Sequence, residues 1–298
     1  MTNAERRNDA RDGVIAGLIA YSLWGVLPVY FKLVGTVSPA EVLLHRIVWA
    51  VPFGALIVYL RRQWPEVKGA FVHRKMLLLL ATAAFFIAVN WYVYIFAVQE
   101  GQIFQASLGY YINPLMYVLV GVMIFGEKLR SLQIAAVVLA AIGVLVLTFS
   151  GGQFPAIALF LGVSFTVYGV IRKRVVIGGM PGLFVETVLL LPFAGVWLAW
   201  MIYSGRSAFG IDDPGIAGML LLAGPITVIP LLCFALAARR LALSTVGFMQ
   251  FLAPTLQFLT GVYYGEKLTP AHLICFACIW TAVILFSVNA IRRTRVSL

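Results

Sequence analysis

Apolar runs of roughly twenty residues, separated by short polar clusters, alternate along the whole length of this chain. About 20 apolar residues are what an α-helix needs to cross the hydrocarbon core of a bilayer. Windows of that length predict spans over 14–34, 40–60, 76–98, 103–125, 131–149, 154–172, 182–203, 216–238, 242–263 and 270–290. The sixth is short and broken by glycine. The first run ends in Gly35-Thr36-Val37-Ser38-Pro39, without a small-residue cleavage pattern, and predicts a retained helix rather than a secretory leader.

Composition removes the soluble alternatives. Of 298 residues, 62% are hydrophobic and 11% charged, against about 45–50% and about 25% in soluble domains. A net charge of +11 would suggest nucleic acid in a soluble protein, but here the basic residues sit in short clusters between apolar runs. Their placement is a topology signal. Eighteen of the 22 Lys and Arg fall in the two termini and in alternate loops: Arg6, Arg7 and Arg11, then Arg61 to Lys75, Lys128 and Arg130, Arg172 to Arg174, Arg239 and Arg240, and Arg292 to Arg295. Only Arg206 and Lys267 fall in the other loops, and Lys32 and Arg46 lie within helices. This bias predicts a multi-pass protein of the bacterial inner (plasma) membrane with both termini cytoplasmic.

The two halves of the chain resemble each other. Ala97–Pro114 overlays Ala237–Pro254 without a gap at an offset of 140, which also pairs Pro52-Phe53 with Pro192-Phe193. Gly126-Glu127-Lys128-Leu129 recurs as Gly265-Glu266-Lys267-Leu268 with the offset slipped to 139. The predicted organisation is therefore a tail over 1–13, a five-helix repeat over 14–149, a second over 154–290 and a tail over 291–298. Five is odd, so the second copy enters the membrane inverted. The predicted fold class is an all-α membrane protein of ten transmembrane helices in two inverted five-helix repeats, the architecture common among secondary transporters, whose sites lie near the midplane between repeats.

On these features the chain resembles the EamA-type carriers of the drug/metabolite transporter superfamily. Glu41-Val42-Leu43-Leu44-His45-Arg46 and Gly109-Tyr110-Tyr111-Ile112-Asn113-Pro114-Leu115 resemble its RarD branch. The resemblance implies transport of small organic solutes, often export, with a loose link to chloramphenicol sensitivity. It does not imply a particular substrate.

Ionisable residues inside a span cost at least about 2.5–3.5 kcal/mol and normally face the bundle interior. Helix 2 carries Glu41, His45 and Arg46, with Glu41 and His45 four apart on one face. Arg46 lies about 9 Å below the helix start at 1.5 Å per residue. Asn90, Trp91 and Tyr94 on helix 3, and Tyr110, Tyr111 and Asn113 on helix 4, are expected at the same depth. The second half repeats the pattern more weakly at the opposite side with Glu186, Gln250 and Gln257. Trp24, near the middle of helix 1, and Tyr168 in helix 6 are candidate cargo contacts with packing as the alternative. Arg46 has two expected roles, a cargo contact or a structural partner of Glu41. Glu186 takes the place of Arg46 at offset 140, but inversion argues against a bridge between them. Glu127-Lys128 and Glu266-Lys267 read as helix-end topology determinants. Helices 5 and 10 lack ionisable residues in their cores, so a homodimer through them is one expected assembly.

A guanidinium in a cavity favours a cargo with a carboxylate or other anionic group, and the aromatic residues favour an amphipathic one. The expected partners are thus a small-molecule substrate and the lipid bilayer, without nucleic acid. No nucleotide-binding motif is present. Cys233, Cys275 and Cys278 lie in apolar segments and read as packing, and no spacing of His45, His73 and His272 suggests a metal, so no cofactor is expected. An integral membrane enzyme would need a nucleophile–base pair or metal ligands at one level. A transport-inactive sensor or assembly factor shares the architecture and stays open.

Overall fold

The computed structural model describes residues 3–125, 131–150, 154–210, 213–241, 245–246 and 249–296, and every regular element among them is helical. That is what a bilayer imposes, since a helix satisfies its own backbone polar groups without water. The helices are α1 (Asn3–Leu33), α2 (Pro39–Leu60), α3 (Trp64–Val72), α4 (Arg74–Gln99), α5 (Ile103–Phe125), α6 (Ser131–Phe149), α7 (Ala156–Lys173), α8 (Gly179–Tyr203), α9 (Pro214–Arg240), α10 (Leu252–Tyr263) and α11 (Pro270–Val296). Six of them, α1, α2, α4, α7, α8 and α9, are long and apolar enough to cross a membrane, with shorter apolar helices at Ile134–Phe149 and Pro270–Leu285. The molecule is a multi-pass membrane protein.

Three boundaries differ from the sequence expectation. Helix α1 starts at Asn3, so residues assigned to a tail are helical. The polar loop after α2 contains α3, with Pro65 in its first turn and Val67 and Ala70 buried. The ninth span, expected over 242–263, is broken by a turn at Gln250 and Phe251: residues 245–246 and 249 are helical before it and α10 covers Leu252–Tyr263 after it, while residues 242–244 and 247–248 lie outside the described residues.

Helix starts carry their own signals. Ser38 Oγ accepts from the Glu41 N–H ahead of Pro39, and the Asp213 side chain accepts from Ile216 N–H ahead of Pro214, the pairing of a capping side chain with a first-turn proline. The second Gly-Glu-Lys-Leu has a structural task that its sequence does not reveal. Gly265, at φ 74°, turns the chain after α10. Glu266 then reaches across to α5, accepting from the Phe104 N–H at 2.8 Å and from the Ile103 N–H. Burial pushes the Glu266 carboxyl up, against the pull of those donors and Lys32. The first copy, 126–129, lies outside the described residues.

The packing scheme is nearly unchanged when the halves are exchanged. Helix α1 packs on α9 and α10, as α7 packs on α4 and α5, while α2 meets α8, α5 meets α10 and α6 meets α11. The α2–α9 contact is broader than its counterpart α4–α8. Helices α2 and α8 run antiparallel: Leu44 and Ile47 pack with Ala194 and Leu198, whereas Val58 packs with Phe184. Helices α5 and α10 do the same, with Ser107 Oγ donating to Pro254 O at 2.8 Å and Phe104 stacked on Phe258 further along. Glycine permits the closest approaches. A Cβ on Gly224 would stand 2.4 Å from Trp49 O, and one on Gly109 2.8 Å from Ala158 O.

Candidate functional site

The bundle has two ends, one bearing α3 and the other bearing the α1–α2 and α8–α9 loops. Near the second end, Arg46 is buried at 5% exposure. Its Nε donates to Thr227 Oγ1 on α9 at 2.8 Å. Its Cζ lies 4.1 Å from the centroid of Trp91 and 5.9 Å from that of Phe31. Nη1 has no hydrogen-bond partner, and no carboxylate pairs with Arg46 among the described residues. Tyr30, Tyr94 and Tyr110 surround the guanidinium. The Tyr94 hydroxyl is buried without a partner. Tyr110 donates to Asn90 Oδ1 at 3.2 Å, and Asn90 donates to Leu161 O at 3.1 Å and Ser164 Oγ at 2.9 Å on α7. The geometry is a cation and an orphaned hydroxyl in an aromatic box, chemically suited to a planar anionic group.

Glu41 is not the partner of Arg46. Its carboxylate accepts from Ser207 Oγ at 2.6 Å and Ala208 N–H at 2.7 Å, holding the α8–α9 loop onto α2. His45 Nε2 lies 3.9 Å from it, and His45 Nδ1 accepts from Trp49 Nε1 at 3.0 Å. The i,i+4 pair thus faces the loop, while Arg46, one residue on, turns into the bundle.

Glu186 is fully buried on α8. It lies 3.4 Å from Arg172 Nε and accepts from the Tyr168 hydroxyl at 3.2 Å. Between this cluster and Arg46 lies an apolar layer in which Ile87, Trp91 and Leu183 pack with Phe165, Tyr168 and Leu231. Leu231 also lines a cavity of about 420 Å³ at the α3 end, bounded by Arg61, Glu66, Gly178, Met180, Phe234 and Arg239. Trp24 packs near that wall, its ring tilted at 5.8 Å from Phe234, and its carbonyl accepts from Gln257 Nε2 at 3.2 Å.

Other expected site residues fall elsewhere. Tyr111 turns away from Arg46, sharing a 2.7 Å hydrogen bond with Thr255 and packing on Phe276 and Trp280. Asn113 is buried with both amide atoms unpartnered. Gln250 is half-buried in its turn. Sequence reasoning missed Thr227, Phe31 and Arg172. Arg172 was absorbed into a basic cluster, although its i,i+4 relation to Tyr168 puts the two on one face of α7.

Comparison with known proteins follows the same lines. A model of the EamA-like transporter family matches residues 11–149. A Vibrio cholerae protein named "Uncharacterized transporter" is 43% identical over 289 residues, 96% of this chain and 95% of that one. "Protein RarD" of Escherichia coli K12 is 41% identical over 96% of this chain and 97% of its own. "Chloramphenicol-sensitive protein RarD" of Pseudomonas aeruginosa is 31% identical over 95% and 96%. A crystal structure at 19% identity and TM-score 0.59, covering 93% of this chain and 98% of that one, shares the fold.

Proposed function

Because the chain belongs to the EamA-like transporter family, in its RarD-like branch, we propose that it is a secondary carrier. It moves small organic solutes across the bacterial inner membrane by alternating access, in the direction of export. Ten spans form two inverted five-helix repeats, with both termini and α3 in the cytoplasm. The antiparallel α2–α8 and α5–α10 pairs support inversion, because copies inserted in the same sense would bring corresponding helices together parallel. The excess of Lys and Arg at the α3 end supports the orientation.

The observation that carries the cargo assignment is Arg46: a buried guanidinium with an unused Nη1 and no carboxylate partner among the described residues. A charge persists at such depth where it meets water or a counter-ion. The cargo supplies the counter-ion, a carboxylate or similar anion on an aromatic or amphipathic body that stacks on Trp91. The cavity at the α3 end opens toward the cytoplasm, and only the layer of Trp91, Leu183 and Leu231 separates it from Arg46. The other end is closed by Glu41 on Ala208 and by Glu266 on α5. The state is inward-facing, and the unequal α2–α9 and α4–α8 contacts are the pair that exchanges when it turns outward.

A counterflow screen of purified protein in liposomes, against amino acids, aromatic acids and drugs, tests the assignment. Trans-stimulated uptake of an anionic aromatic solute is expected. Binding without flux in sealed vesicles would favour the sensor instead.

A further inference from the structure

We propose that Glu186 is a proton-binding site, and that its protonation frees Arg172 to couple proton movement to the state of the cytoplasmic cavity. The coupling role rests on the carrier assignment above. The proton site rests on the geometry of one cluster.

Glu186 is fully buried, seven residues after the start of α8. A buried carboxylate within a span is costly unless it is neutralised or fully paired. Here the pairing is partial: Arg172 Nε stands 3.4 Å from Oε1, Tyr168 donates to Oε2, and Oε1 accepts no hydrogen bond. Arg172 is equally incomplete, because its Nη1 is buried without a partner. The fold leaves space for this guanidinium, since a Cβ on Gly182 would lie 2.2 Å from Nη1. The position holds a half-satisfied ion pair that one proton resolves. A sodium ion would need several oxygen ligands, and Glu186 faces a guanidinium instead.

One further titratable group reaches the cluster, Tyr117 of α5, which lies beside Tyr168 and Gly169 of α7. Arg172 and Tyr168, both from α7, are the groups that act on Glu186. Against this part of α8, helix α4 brings Ile87 and Trp91 to Leu183, α2 brings Gly54 to Phe184, and α9 brings Val228 to Met180. Arg61 at the end of α2, Glu66 on α3 and Arg239 on α9 line the cavity mouth. The cavity provides access: Met180, in its wall, is six residues or about 9 Å along the helix from Glu186.

The link to conformation runs through Gly178. Arg172 Nη2 donates to Gly178 O at 3.4 Å, and Gly178 N–H donates to Glu66 Oε2 on α3 at 3.0 Å. A proton arriving from the cytoplasm neutralises the carboxylate. Arg172 then loses its anion, and the wall that ties α3 to the α7–α8 loop shifts. When the proton leaves, the ion pair reforms.

The test uses full-length protein in lipid nanodiscs, with native cysteines replaced by alanine and Ala238→Cys as a reporter in the cavity wall. Infrared difference spectra between about pH 5 and about pH 9 bracket ordinary carboxylate and histidine titration. A carboxylic-acid C=O band is expected in the parent protein and lost in Glu186→Gln, while Glu41→Gln keeps it. Maleimide labelling of the reporter should change about fivefold or more over that range, the lower end of coupling between sites, and by under about twofold with Glu186→Gln. If Glu186→Gln does not fold, Tyr168→Phe, Arg172→Lys and Gly182→Ala keep the carboxylate and should each move the midpoint of the band. The absence of the Glu186 band, labelling that ignores pH, or an unmoved midpoint in all three variants overturns the proposal. Neither readout needs cargo, so this result and that of the counterflow screen can fail separately.

Discussion

Two arginines, Arg46 fully buried and Arg172 half-buried, should respond to truncation in opposite ways, and the difference follows from what each leaves behind. Arg46→Ala removes one hydrogen bond to Thr227 and the stacking on Trp91. These contribute roughly 1.5–3 kcal/mol, because the donor is charged, and 1–2 kcal/mol. Against that loss, the protein no longer holds a guanidinium away from water, and no carboxylate is stranded. The net effect on folding is small. For cargo, a charge-assisted hydrogen bond is worth about 1.5–3 kcal/mol, so affinity should fall about 10- to 150-fold at 1.4 kcal/mol per decade. Arg172→Ala leaves Glu186 buried beside Tyr168 alone, and breaking a buried pair costs about 3–5 kcal/mol. The assay measures purified yield and melting temperature for each variant beside uptake per molecule. Arg46→Ala should be well folded, with uptake per molecule at subsaturating cargo lowered by about the same 10- to 150-fold, and Arg46→Lys folded and less impaired but weak because it lacks the planar fork. Arg172→Ala should be poorly folded, with Glu186→Gln restoring part of the yield. Equal uptake per molecule in wild type and Arg46→Ala would refute the reasoning, as would a yield loss in Arg46→Ala as large as in Arg172→Ala.

Lys32 Nζ donates to Gln99 O at 3.3 Å near the helix end, so Lys32→Ala should leave uptake within about twofold, as expected of a snorkelling side chain. Glu41→Ala releases the Ser207–Ala208 loop and should speed backbone amide exchange there while leaving Arg46-dependent binding measurable. Glu266→Ala removes the acceptor for two α5 amides; exchange at Ile103 and Phe104 should rise at least about tenfold, for roughly 1.5 kcal/mol. Gly224→Ala sets a methyl against Trp49 O and should destabilise the protein by about 1–3 kcal/mol, visible as a lower melting temperature without cargo.

The helical content was legible because lipid enforces it: apolar length marks a span, and charge marks its ends. The break in the ninth span was not placed, because apolar length alone does not locate the turn at Gln250. The level of Arg46, Trp91, Tyr94 and Tyr110 was readable from helix depth. Azimuth was harder: Tyr110 and Tyr111 are adjacent, yet one faces Asn90 and the other the α10–α11 core. Partners were hardest. A pair of Glu41 with Arg46 was one of the two roles expected of Arg46, but a loop more than 160 positions away satisfies Glu41. Arg172 looked like a topology charge because its sequence neighbours, Lys173 and Arg174, share its sign.

The most direct test of alternating access is a cysteine at Thr227, beside Arg46, in a background without native cysteines and in vesicles of known orientation. A membrane-impermeant thiol reagent is applied from one side at a time. Thr227 is buried at rest behind the layer of Trp91, Leu183 and Leu231, so labelling without cargo should be slow and from the α3 side alone, and it should come from the opposite side once saturating cargo has driven the exchange. Labelling from a single side under every condition would contradict the carrier account.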